Sequence, residues 1–198
     1  LLPSFHSSAV APIFAGRRRR REPGDDAAIG PSTKRSVNEG MAMPRSLLYA
    51  VGSFLGTGFA PVAPATVASF AVAVVWYLVW LAWGPVPLWL QIVLLGTVTF
   101  GGVPIAGRLQ ALHGPDPSLV VIDEVAGMLV TYLGVSTGAV GFLIGFFWFR
   151  VFDILKPLGI RRLESLGGGW GIMADDLGAG CLACLCTHLS LRWLGGGS

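Results

Sequence analysis

Residues 123–153 read DEVAGMLVTYLGVSTGAVGFLIGFFWFRVFD, and whether this stretch crosses a bilayer once or turns back decides the fold. It opens on the acidic pair Asp123-Glu124 and closes on Arg150 and Asp153, with no charge from Val125 to Phe149. As one helix these 25 residues would run about 37 Å, enough to span a hydrocarbon core. Gly134-Val135-Ser136-Thr137-Gly138 interrupts the run with turn-forming residues. A single span would place Asp123 and Asp153 on opposite sides of the membrane. A hairpin returns them to the same side. Arg150, Lys156, Arg161 and Arg162 follow closely, and short cytoplasmic segments concentrate such cations, so a hairpin broken at 134–138 is expected.

The rest of the 198-residue chain has the same character: 53% of it is hydrophobic and only 13% charged, about half the charged share of soluble domains. No charged side chain occurs from Ser46 to Gly107 or from Leu177 to Leu191. The first run holds two spanning helices, expected at 66–83 and 87–109, the latter with Pro104 inside it. The last helix is expected at 174–194. Seven tryptophans, crowded near the ends of these runs, fit interfacial belts. A short interfacial helix over Pro44–Leu55, a helix over Ser118–Leu133 and another over Ala139–Leu155 complete the reading, with a basic Gly-rich loop at 158–173. The expected class is all-α, a polytopic helical membrane bundle with short re-entrant or broken helices. Residues 44–194 form the membrane domain.

Residues 1–43 read as a disordered basic tail, and 195–198 as a flexible end. Eight of the fourteen Lys and Arg lie within residues 1–45, so the basic pI of about 9.0 belongs to the tail and gives no reason to expect nucleic-acid binding. Arg17 to Arg21 follow a short apolar stretch instead of preceding it, the wrong order for a signal peptide. Met41 and Met43 immediately precede the membrane domain, so residues 1–40 are an expected over-extension of the start.

Two acidic pairs open apolar segments: Asp123-Glu124 and Asp175-Asp176. Carboxylates beside membrane-grade sequence are costly to desolvate, and paired carboxylates are hard oxygen ligands of the kind Mg²⁺ takes. With Asp153 they make five candidate ligands, Asp123, Glu124, Asp153, Asp175 and Asp176, expected at one membrane face. The competing explanation is that acids in a helix's first turn complement its dipole. Arg150, Asp153 and Lys156 recur every three residues and are expected to share a helix face, as an ion-pair ladder or as phosphate-binding cations beside a metal-binding acid. Catalysis is therefore assigned to Glu124 as general base, with Arg150 and Lys156 on the phosphoryl oxygens. The Gly/Pro-rich segment 56–66 offers Thr57, Gly58 and Thr66, with Lys156, as a substrate cradle, although it lacks the P-loop lysine.

Other patterns carry less. Cys186 and Arg192 have the spacing of a thiol phosphatase but lie in an apolar helix. Cys181 and Cys184 lack a second ligand pair, and His6, His113 and His188 have no ligand spacing. A different class, an ion-binding or transport protein, would place its carboxylates near helix midpoints.

Four segments, GTGFAPVAPAT (56–66), VIDEVAGM (121–128), FRVFDILKP (149–157) and GIMADDLGAG (171–180), together resemble the phosphatidylglycerophosphatase A family over about residues 46–185. Ala65 and Ala68 stand where that family usually has glycines, and Gly159 where a proline is usual. The resemblance implies a multi-pass protein of the bacterial inner membrane with its site facing the cytoplasm. It implies Mg²⁺-dependent hydrolysis of phosphatidylglycerophosphate to phosphatidylglycerol and phosphate, with a phospholipid as the partner and the oligomeric state open.

Overall fold

A computed structural model describes residues 43–114, 117–136 and 138–195; residues 1–42 of the expected tail, 196–198 of the expected flexible end and Thr137 of the break lie outside them, and Gly195 ends the last helix. The described chain is helical, with no strand. Helix α1 is Arg45–Gly52, followed by a 3₁₀ turn at Thr57–Phe59. Then come α2 (Pro64–Trp83), α3 (Leu88–His113), α4 (Ile122–Thr131) and α5 (Ala139–Leu155). A 3₁₀ stretch at Pro157–Leu166 leads into α6 (Gly168–Gly195). Helices α2, α3 and α6, of 20, 26 and 28 residues, are long and apolar enough to cross a membrane. They leave Phe70, Leu78, Ile92, Phe100 and Leu185 on the outside, where lipid solvates them at no cost.

The decisive stretch is a hairpin, as expected. Helix α4 has 10 residues, about 15 Å or half a hydrocarbon core. Its partner α5 runs back along it. The close approach of Gly127 to the Phe149 ring and of Gly145 to the Tyr132 ring fixes the antiparallel register. Helix α6 runs alongside α4 in the same direction, with Gly127 against the Asp176 carbonyl at one level and His188 at the Leu133 carbonyl at another. A Cβ on Gly180 would lie 2.4 Å from the Gly127 carbonyl oxygen, so these two glycines bring the backbones of α4 and α6 together.

Non-helical backbone at membrane depth survives only where protein satisfies it. The hairpin turn meets that requirement from three helices. Gly134 N–H donates to Gln91 Oε1 of α3 at 2.9 Å, and Trp80 Nε1 of α2 donates to the Ser136 carbonyl at 3.1 Å. His188 Nε2 of α6 bonds the Leu133 carbonyl at 2.8 Å. Beneath the turn, Tyr132, Phe142 and Phe149 are fully buried, and the Tyr132 hydroxyl donates to the Phe142 carbonyl at 2.7 Å.

The loop expected at 158–173 is instead a 3₁₀ stretch running into α6, and among the helix boundaries that differ from the sequence reading three bear on the site. Helix α4 begins at Ile122, because Pro117 to Val121 is held in a loop whose Val121 N–H donates to the Gly52 carbonyl. Helix α3 continues to His113, whose Nε2 is 2.8 Å from the Tyr49 hydroxyl of α1. Helix α6 starts at Gly168, six residues earlier than expected.

Candidate active site

Each of the five acids reaches its place through one of three helices. Asp123 and Glu124 lie in the first turn of α4, Asp153 in the last turn of α5, and Asp175 and Asp176 two turns inside α6. The early start of α6 removes dipole capping as an explanation for the second pair, since no acid lies in that helix's first turn. It also means that these two carboxylates are not at a helix start, as the sequence reading had them.

Asp123, Glu124 and Asp176 converge, each offering an oxygen within 4.8 Å of the others. Glu124 and Asp176 are 8% and 4% exposed. Asp123 Oδ1, Glu124 Oε2 and Asp176 Oδ2 are all buried without a hydrogen-bond partner. Three desolvated, unsatisfied carboxylate oxygens facing one another are costly as a structural arrangement. The donor set, all carboxylate oxygen, suits a hard divalent cation such as Mg²⁺, and the unsatisfied atoms are the ones a cation would neutralise. Burial holds the Asp123 carboxyl well above its ordinary range, and the neighbouring Glu124 charge adds to this. Burial likewise pushes Glu124 up to about 8; a hydrogen bond with Asp123 works against that shift, while the Asp176 and Asp153 charges add to it.

Asp153 and Asp175 flank this trio, each held by a cation. Arg150 Nη1 donates to Asp153 Oδ2 at 2.6 Å, one helical turn away, while its Nε stays buried and unpaired. Lys156 is paired with Asp175 of α6. It terminates α5 in the left-handed region at φ 43°, which ordinary side chains rarely adopt, and this turns its amine off the helix and across to α6. The ladder is therefore split: Arg150 stays with Asp153 and Lys156 leaves for Asp175. The result is a trio of acids with no cation paired to it among the described residues, bordered by two cations that already hold acids.

In the segment 56–66 the first half is tied up in its own hydrogen bonds. The amides of Gly56, Thr57, Gly58, Phe59 and Ala60 all donate to carbonyls between Ser53 and Thr57. The Thr57 hydroxyl donates to Ser53 and Phe54 carbonyls at 3.0 and 3.1 Å. The donors of residues 56–60 are therefore taken within the turn, and the part of the segment that opens α2, residues 62–66, carries the remaining amides. Gly58 is required by packing, since its Cβ would lie 2.2 Å from the Leu119 carbonyl oxygen. Thr66 is partly buried in the first turn of α2. The Cys186–Arg192 spacing lies within α6, as expected of a chance match.

Of the residues that hold the hairpin turn, Gln91 and Trp80 were not singled out from the sequence, and His188 was noted there only as lacking ligand spacing. Gln91 had a signal: it is the sole amide side chain between Ser46 and Gly107. In an apolar run such a group needs a buried partner.

A family model described as phosphatidylglycerophosphatase A matches residues 50–191. Phosphatidylglycerophosphatase A of Escherichia coli K12 is 35% identical over 142 residues, covering 69% of this chain and 77% of that protein. A Bacteroides thetaiotaomicron protein, provisionally named as a phosphatidylinositol-3-phosphatase, is 35% identical over 158 residues, 78% of this chain and 99% of its own. Phosphatidylglycerophosphatase A of Haemophilus influenzae is 36% identical over 81 residues, 40% of this chain and 50% of that protein. No solved structure matches. The matched region runs from α1 through α6 and contains every acid of the cluster, so the chain belongs to the phosphatidylglycerophosphatase A family and is a membrane-embedded lipid phosphatase, a phosphoric monoester hydrolase.

Proposed function

We propose that the chain hydrolyses phosphatidylglycerophosphate to phosphatidylglycerol and phosphate, using Mg²⁺, at the cytoplasmic face of a bacterial inner membrane and within phospholipid biosynthesis. The observation that carries the metal reading is the trio of buried, unsatisfied oxygens on Asp123, Glu124 and Asp176. These three residues would hold the ion, with Asp153 and Asp175 adjoining them. A bound Mg²⁺ there supplies Lewis-acid polarisation of the phosphoryl group and a template for water.

The chain's own groups account for the rest. Arg150, with its unpaired Nε, and Lys156 neutralise charge on the phosphoryl oxygens as the ester bond breaks. Glu124 accepts the proton of the attacking water on the oxygen it would not give to the ion, and its burial excludes bulk solvent from that transfer. The acyl chains remain in the bilayer against the apolar flanks of α2, α3 and α6, so only the headgroup enters the protein. Thr57 and Gly58 contribute packing in this scheme, and Thr66, in the first turn of α2, is the cradle residue that would offer a donor.

Phosphate release from phosphatidylglycerophosphate by the purified protein, with and without Mg²⁺, tests the proposal. Asp123→Asn and Asp176→Asn are each expected to reduce release by about 10²-fold or more. Wild-type release by both variants defeats the metal assignment. A folded wild type that releases nothing favours the ion-binding alternative, to which the position of Asp175 and Asp176 two turns inside α6 would then belong. Phosphatidylinositol 3-phosphate belongs in the same assay because of the Bacteroides relative's name.

A further inference from the structure

The loop joining α1 to α2 is committed on its inside and open on its outside. The amides of residues 56–60 and the Thr57 hydroxyl are spent within the loop. Phe54, Leu55 and Gly56 occupy the left-handed region in succession, at φ 42°, 56° and 98°. That path packs Phe54 against the core and throws Leu55 outward. Leu55, Phe59 and Val62 are 85%, 61% and 76% exposed. A strained turn, hydrogen-bonded within itself over residues 53–60, that displays three large apolar side chains is not explained by its own folding.

Its surroundings indicate what covers them. The loop leads directly into Pro64 of α2, and the exposed Val67 and Phe70 continue the same apolar surface along that spanning helix. It sits at the end of the bundle where α4 begins, because Gly58 abuts the Leu119 carbonyl and Val121 N–H donates to the Gly52 carbonyl at 2.9 Å. Arg45, exposed at the start of α1, is suited to anionic headgroups.

We infer that Leu55, Phe59 and Val62 form a wedge inserted into the headgroup–acyl boundary of the leaflet on the acidic-cluster side. The partner is the phospholipid bilayer itself. Because the loop is braced on residues 119–121, two residues before Asp123, the wedge sets the depth of the acids relative to the layer where lipid phosphates lie. The inference rests on α2 spanning the membrane and on no particular headgroup.

The test uses the full chain in vesicles of phosphatidylethanolamine with a minority of phosphatidylglycerol. Benzoylphenylalanine in place of Val62 is expected to give lipid adducts on illumination, read by mass spectrometry; no lipid adduct overturns the wedge. In a second arm, Leu55→Asp/Phe59→Asp is expected to slow hydrolysis of long-chain phosphatidylglycerophosphate in these vesicles about tenfold, while a short-chain, water-soluble analogue is turned over at the wild-type rate. Leu55→Ile/Phe59→Leu restores the vesicle rate. Equal loss on both substrates, or loss on neither, overturns the wedge. If the wild type acts on neither substrate, the proposed substrate fails while crosslinking still decides the wedge.

Discussion

Glu124 has the same charge problem as its two neighbours but a position that makes it measurable. In the metal-free protein its carboxyl is raised from 4.5 to about 8 by burial, against the opposing hydrogen bond from Asp123. A carboxyl raised in the folded state binds its proton more tightly there than in the unfolded chain. Its contribution to stability is therefore complete below about pH 4.5 and is lost as pH rises through about 8. Metal-free protein should accordingly lose thermal stability across that window, and Glu124→Gln should flatten the loss. Added Mg²⁺ should oppose it increasingly as pH rises, because the cation takes the place of protons on the same oxygens. A melting temperature that climbs with pH in the chelated protein, or a Glu124→Gln variant with an unchanged slope, refutes this account. The identity of the acids was legible in the sequence, since carboxylates in apolar sequence are conspicuous. Their division into a trio and two ion pairs was not, because it depends on Lys156 leaving the helix at φ 43° to reach Asp175.

At the scale of elements, the hairpin of α4 and α5 is held at both ends by other helices. Gln91, Trp80 and His188 take its turn, and Gly127 lets its acidic start close on α6. Gln91→Ala removes the acceptor of the Gly134 N–H at an exposed position of the turn and should destabilise the protein by about 0.5–1.5 kcal/mol in a detergent or bicelle unfolding titration. His188→Gln, which keeps a donor at the Nε2 position, should cost less than His188→Ala. Gly127→Ala is a harsher test, because its Cβ would meet Phe149 Cε2 at 2.4 Å and the Asp176 carbonyl at 2.8 Å. Overpacking there should cost about 1–3 kcal/mol and separate Asp123 from Asp176, so phosphate release should fall further than stability alone requires. Parity between Gly127→Ala and wild type in both assays would mean that α4 and α6 need not approach so closely. The bounds of α5 were readable as Ala139–Leu155 because its signals are local: Gly138 ahead of it and Lys156-Pro157 behind it. The start of α6 was not. Gly167, Gly168 and Gly169 read as loop, yet Gly169 is inside the helix and serves a tertiary contact, its Cβ position lying 1.8 Å from the Val103 carbonyl oxygen of α3.

Across the whole domain, the two ends of the bundle differ in chemistry. One end gathers Arg45, the end of α3, the acid cluster, Arg150 and Lys156. The other gathers the exposed Trp83, Trp89 and Trp193, with Arg192 as its charged residue among those described. Exposed Trp170 at the acidic end and Trp83, Trp89 and Trp193 at the other fit belts at both interfaces, so the expectation that the acidic end faces the cytoplasm rests on its cations. The hairpin is what allows this, since a straight passage through 125–149 would carry Asp153 and the second acidic pair to the opposite end. In a variant lacking Cys181, Cys184 and Cys186, cysteines placed one at a time at Ser165 and Pro85 separate these arrangements. Both positions are exposed, Ser165 just before α6 at the acidic end and Pro85 between α2 and α3 at the other. A membrane-impermeant maleimide added to intact cells should label Pro85→Cys and spare Ser165→Cys until the membrane is opened. Labelling of Ser165→Cys from outside would invert the orientation while leaving the hairpin intact, provided Pro85→Cys is then protected. Labelling of both from the same side would place α2's end and the acidic end together. The re-entrant hairpin and the shared site of Asp123 and Asp176 could not survive that result.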